Sequence, residues 1–159
     1  MYRMIVRRQY RRLWRAMNEH NYQPVIDQLA PGFRMTFMGD TTLGGTRTTH
    51  RLMVAWFDRL FRLLPDARFE LRELAIEGPP WNTRIAGLFT IRATVLDEPY
   101  ENVFAQFVHL RYGRITWYEI HEDSLRFWQL CQRLEANGVA EAVAPPITDS
   151  TDAGRPVPL

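Results

Sequence analysis

Apolar residues recur at helical spacing through most of the first part of the chain, then change to a two-residue alternation, then return to helical spacing. Residues 3–20 place Val6, Tyr10, Leu13, Trp14 and Met17 three and four apart, with arginines on the other face. That spacing predicts an amphipathic helix. A short helix is expected at 23–30, with Pro24 in its first turn and Pro31-Gly32 ending it. Phe33 to Met38 alternates as a strand, and Gly39 to Thr46 reads as a glycine-rich loop with room for a short edge strand. A third helix is capped by Thr48 or Thr49, striped by Met53, Trp56, Phe57, Leu60, Phe61 and Leu64, and stopped by Pro65. Arg68 to Ile76 then alternates with one phase slip near Arg72-Glu73, the signature of a bulge. Residues 81–96 and 100–112 read as long strands joined by Asp97-Glu98-Pro99, and Gly113 turns the chain into a last strand. Asp123 or Ser124 caps a final helix lined by Phe127, Leu130, Cys131 and Leu134 and ended by Asn137-Gly138. Periodicity is lost from Val139, so 139–159 is expected to be a disordered tail and 1–138 a single domain.

Helices segregated before a meander predict an α+β fold. Its curved antiparallel sheet would carry helices on the concave face and enclose a cone-shaped pocket. Composition narrows this further. No apolar run approaches the roughly 20 residues that span a bilayer, and Arg3, Arg7 and Arg8 interrupt any leader, so a cytoplasmic chain is expected. The single cysteine, Cys131, excludes an intrachain disulfide and a cysteine-based zinc site, and its helical position suits a core. All 20 cationic residues are arginine, which removes lysine nucleophiles and Schiff bases from consideration. Arg3, Arg7, Arg8, Arg11, Arg12 and Arg15 precede the first acidic residue, Glu19. Such a cluster could meet nucleic acid or an anionic surface. A solvated helix face explains it without either, and no nucleic-acid or membrane partner is expected.

The last strand carries the candidate chemistry. Alternation puts Ile115, Trp117, Glu119, His121 and Asp123 on one side, apolar first and ionisable later. A strand lining a pocket that is greasy at depth and reactive at its mouth has this pattern; the opposite parity would turn the polar groups to water. An imidazole such as that of His121 is a natural general acid/base, with Glu119 or Asp123 to orient it. Asp123 also suits an N-cap, and Asp40 suits its glycine-rich turn. Asn102 and Gln106 share a parity with Phe104; if that parity faces inward, their amides could polarise a carbonyl, and the more apolar parity of Val103, Ala105 and Phe107 would then pack a dimer face. Trp56, Trp117 and Phe104 would wall the pocket, with Tyr118 a secondary candidate. His20, His50 and His109 show no metal-ligand spacing, and no phosphate-loop, dinucleotide or nucleophile-elbow motif is present. No cofactor or metal is expected.

The markers Leu29…Phe33, Gly39-Asp40, Gly45, Trp56-Phe57, Leu63-Leu64-Pro65, Phe69, Trp81-Asn82-Thr83, Tyr100-Glu101-Asn102, Gly113-Arg114-Ile115 and Asp123 resemble, in order, SnoaL-like proteins of the nuclear-transport-factor-2-like superfamily. The resemblance spans about residues 5–135. It implies a cone-shaped fold, frequent pairing through the outer sheet face, and functions from polyketide cyclisation and ketosteroid isomerisation to non-enzymatic binding. Fold alone does not choose among them. Ketosteroid isomerases place a general base where Asp40 stands, and an oxyanion hole where Leu13 and Gln106 fall; the tyrosine is missing unless the helix register brings Tyr10 inward. SnoaL-like cyclases use an aspartate late in the last strand, near His121 and Asp123. Epoxide hydrolases of the fold need an aspartate two residues beyond an arginine, and Arg92 is followed there by Thr94. The expectation is a cofactor-independent acid/base enzyme, of cyclase, isomerase or dehydratase type, acting on a hydrophobic carbonyl compound. The alternative is a non-catalytic module holding a lipophilic ligand or a protein partner.

Overall fold

A computed structural model describes residues 1–149. The chain runs α1 (Tyr2–Asn18), α2 (Gln23–Gln28), β1 (Leu29–Phe37), β2 (Gly45–Arg47), α3 (His50–Leu63), β3 (Arg68–Glu77), β4 (Thr83–Val95), β5 (Glu98–Arg111), β6 (Arg114–Glu122) and α4 (Ser124–Ala136), then a 3-10 turn over Ala140–Val143. The strands form one six-stranded sheet in the order β2-β1-β6-β5-β4-β3. All neighbours are antiparallel except β1 and β6, which run parallel, so the sheet is mixed rather than purely antiparallel. The two strands of the parallel pair are separated in sequence by one helix, α3, and four strands, β2 to β5. No helix among the described residues is long and apolar enough to cross a membrane.

Local chemistry sets most boundaries. Thr49 caps α3 by accepting from the Leu52 amide at 3.3 Å, and Asp123 caps α4 by accepting from the Arg126 amide at 3.1 Å. The expected slip in β3 is present, between Leu71 and Glu73 against β4. Both long hairpins close with two-residue left-handed turns, Leu96-Asp97 and Tyr112-Gly113. Their twist matches the flanking strands. Glu98 and Pro99 are therefore strand residues and not part of the turn.

Two expectations are corrected. The first is the tail. Residues 139–149 pack against α3 and the β1–β2 loop: Ala142 is buried, and Glu141 accepts from Arg59 and Arg62. The Thr42 hydroxyl donates to the Glu141 carbonyl and the Arg47 guanidinium to that of Ile147, each at 2.9 Å. Small residues and prolines hid this segment because it is held by backbone carbonyls, which carry no sequence signal. The rest of the expected tail, 150–159, lies outside the described residues.

The second is the parity of β6. Leu110 faces Ile115 but His109 faces Trp117, so Thr116 is an extra residue and a bulge. Beyond it, Tyr118, Ile120 and Glu122 turn toward the helices while Trp117, Glu119 and His121 turn outward. A one-residue slip exchanges the two faces of a strand.

The core fills the space between the inner face and α1, α3 and α4. Trp14 packs on Phe89 at 4.2 Å between ring centres and on Phe69 at 5.2 Å, and Phe89 stacks on Phe104 at 4.9 Å.

Candidate active site

Two small cavities remain in the cone, with Trp14, Met17 and Tyr118 in the walls of both. The first, about 40 Å³, lies under α1 and reaches Gln9, Tyr10, Gln106 and Val108. The second, about 30 Å³, lies under α3 and α4 and reaches Phe37, Trp56, Phe104, Phe127 and Glu122. Each has room for roughly two or three waters. The cone is thus largely filled by its own rings.

The first cavity holds a polar group of three. Helix register buries Tyr10 on the inner face, where its hydroxyl donates to Gln106 Oε1, while Leu13 lies at the cavity wall and is only partly buried. Gly87 makes this approach possible, since a Cβ there would come within 2.9 Å of the Tyr10 hydroxyl and 2.7 Å of the Phe89 ring. Tyr118 lies beside Gln106 and is buried. Burial pushes both phenols well above the ordinary tyrosine value, so they remain neutral hydrogen-bond donors.

The second cavity holds a carboxylate. Glu122 as a residue is half-buried, but its Oε1 is shut off from solvent and has no hydrogen-bond partner. Oε2 accepts from Asn102 Nδ2 at 3.3 Å. Burial first, and the neighbouring Asp123 second, raise this carboxyl from its ordinary 4.5 to about 8. Asn102 is committed elsewhere as well: its amide nitrogen meets the Tyr100 hydroxyl and the Asp123 carbonyl, both at 3.1 Å, and its oxygen accepts from the Val103 amide. It positions Glu122 and has little left for a ligand. A poorly solvated carboxyl with one unpartnered oxygen among aromatic rings can take or give a proton near neutral pH.

The sequence-selected residues divide accordingly. Asn102, Phe104, Gln106, Trp56 and Tyr118 are inside, with the Trp56 indole donating to the Leu43 carbonyl at 2.8 Å. His121, Glu119 and Trp117 are on the outer face, where the His121 side chain is 44% exposed and pairs with Glu119 at 2.5 Å. Asp123 is occupied as a cap, and Asp40 is exposed in its loop and lines neither cavity. The bulge at Thr116 is the physical reason for this division. Glu122 is absent from the sequence-based candidates, and Tyr10 enters them only on condition that the helix register turns it inward, which it does. The apolar steps Tyr118 and Ile120 leading to Glu122 were the available signal for the first, and the position of Tyr10 on the same helical stripe as Val6 and Trp14 for the second. Among the described residues, no three His, Cys, Asp or Glu side chains converge in a way that could hold a metal.

No curated protein matches this chain. Among solved structures, an NTF2-like protein of unknown function from Burkholderia pseudomallei is 25% identical, with a TM-score of 0.66 over 77% of this chain and 94% of that one. PrhC from Penicillium brasilianum superposes with a TM-score of 0.72 at 12% identity, over 85% of this chain and 91% of that one. IdmH from Streptomyces antibioticus, a candidate polyketide cyclase, gives 0.63 at 15% identity, over 78% and 96%. The last two likenesses speak for the fold alone. The SnoaL-like domain model matches residues 10–118, a stretch that includes the Tyr10–Gln106–Tyr118 group and the strands that carry it. This chain belongs to the SnoaL-like domain family.

Proposed function

We propose that the protein is a cofactor-independent acid/base catalyst for a hydrophobic carbonyl compound, with Glu122 as the proton-transfer group. The observation that carries this is the unpartnered Oε1 of Glu122 inside an apolar cavity. In the step envisaged, the C–H bond α to a carbonyl breaks and its proton passes to Glu122. The electron pair moves to the carbonyl oxygen as an enolate. A neutral phenol, Tyr118 being the one that borders both cavities, donates a hydrogen bond to that oxygen. Asn102 holds Oε2 and so leaves Oε1 for the substrate. Substrate takes the place of the side chains that now fill the cone, with Trp14 between the two cavities as the ring to be displaced. The catalytic group assigned here is Glu122 in place of the outward His121–Glu119 pair. We place the protein in the cytoplasm, paired with a second copy through the outer sheet face, where Val103 and Phe107 are exposed.

The test is deuterium exchange α to the carbonyl of hydrophobic aryl ketones such as 1-tetralone, followed by NMR in D2O. Exchange should be accelerated by the native protein and should rise with pH to a plateau above about 8, as Glu122 ionises. Glu122→Gln should lose roughly a hundredfold or more while still binding the ketone. His121→Gln should behave as the native protein. A second reading, a non-catalytic holder of lipophilic ligands, is favoured by the small free volume and by the pairing of Tyr10 with Gln106. Ketone binding with no accelerated exchange in the native protein would select it.

A further inference from the structure

We propose that the outward face of α1 docks the protein on an anionic phospholipid surface, which revises the expectation of no membrane partner. Arg8, Arg11, Arg12 and Arg15 stand on that outward face, Arg3 and Arg7 extend the cluster along the N-terminal flank of the helix, and among the described residues all six are exposed and none makes an ion pair. Of the six, only Arg15, in the last turn, suits the helix dipole. The first turn of α1 has no acidic residue, so Arg3 lies against the positive end of the helix dipole. Arg7 and Arg11, Arg8 and Arg12, and Arg11 and Arg15 are like charges four apart, which weakens a helix. Six unpaired cations on one helix suit a surface of phosphates.

Apolar side chains on the same face choose lipid over nucleic acid. Met4 and Ile5 are 67% and 58% exposed, one turn before Arg8 and two before Arg12, although the buried stripe of α1 runs along its opposite side through Val6, Tyr10, Trp14 and Met17. Apolar side chains beside arginines can enter the boundary between headgroups and acyl chains. The exposed face carries no aromatic ring on which a base could stack. α1 also supplies Val6, Gln9, Tyr10 and Leu13 to the wall of the first cavity, so docking would hold that cavity beside the lipid. The proposal does not depend on the role assigned to Glu122.

The experiment is cosedimentation of the full chain with phosphatidylcholine vesicles, with and without phosphatidylglycerol. Binding is expected only with phosphatidylglycerol, and should be released by high salt. Replacing Arg8, Arg11, Arg12 and Arg15 by Gln should weaken it by roughly fivefold per arginine. Ile5→Ser, which leaves the charge unchanged, should weaken it further, and circular dichroism of each variant should match the native protein. Equal binding to neutral vesicles, or none to either, overturns the proposal. So does tighter binding to duplex DNA that is insensitive to Ile5→Ser, an outcome that assigns the face to nucleic acid.

Discussion

Glu122 shows how one residue can be set by its environment rather than by its type. Its carboxyl is raised to about 8 by burial and by Asp123, and this has a consequence for stability. Below 4.5 the folded and unfolded chains both hold the proton. Between 4.5 and 8 the unfolded chain releases it while the fold retains it, so stability falls as pH rises across that window. The slope from this group is at most about 1.4 kcal/mol per pH unit. Glu122→Gln should flatten the pH dependence of the urea midpoint between those limits. An unchanged profile would mean that Glu122 is solvated and would also remove its claim as a proton-transfer group. Glu122 does not announce itself in the sequence, because a lone Glu after Ile120-His121 reads equally well on either face, whereas its partner Asn102 is legible as a candidate inward amide. The assignment of His121 by chemistry was reasonable. Its orientation was decided by Thr116, five residues away.

At the scale of elements, α1, α3, α4 and the β3 bulge were legible because each has a strong period and a local start or stop signal. The closing segment was not. Val139 to Asp149 has no period, yet it supplies acceptors to four side chains: Thr42, Arg47, Arg59 and Arg62. Arg47 is fully buried, with its guanidinium on the carbonyls of Gly44, Gly45 and Ile147 and 5.5 Å from the centre of the Trp56 ring. Burial lowers it to about 10, so it remains charged at neutral pH and needs those acceptors. A chain ended at Gly138 should therefore lose about 3 kcal/mol, which corresponds to a fall in Tm of roughly 6–12 °C. Differential scanning calorimetry of the two lengths gives the answer. Equal melting temperatures would return this segment to the status of a loose tail.

For the whole molecule, the bulge has a second effect: it leaves the outer face with its own character. Phe107 and Val103 are exposed there, His121 sits edge-on to Phe107 at 5.8 Å, and His109 packs on Trp117 at 4.6 Å. This is the face through which we expect two copies to pair. Sedimentation velocity should give a dimer for the native protein and a monomer for Phe107→Arg, and a monomeric native protein would end that expectation. The amino-acid sequence by itself determined the α+β class, the order of elements, the shared parity of Asn102, Phe104 and Gln106, and the arginine-rich character of α1. All of these follow from periodicity, which is encoded within a few neighbouring residues. Tertiary structure decided which face of β6 is inside, which carboxyl is buried, how the chain closes after α4, and how far the cone is filled. These depend on register and packing between segments distant in sequence, where one extra residue on a strand reverses every side chain that follows it.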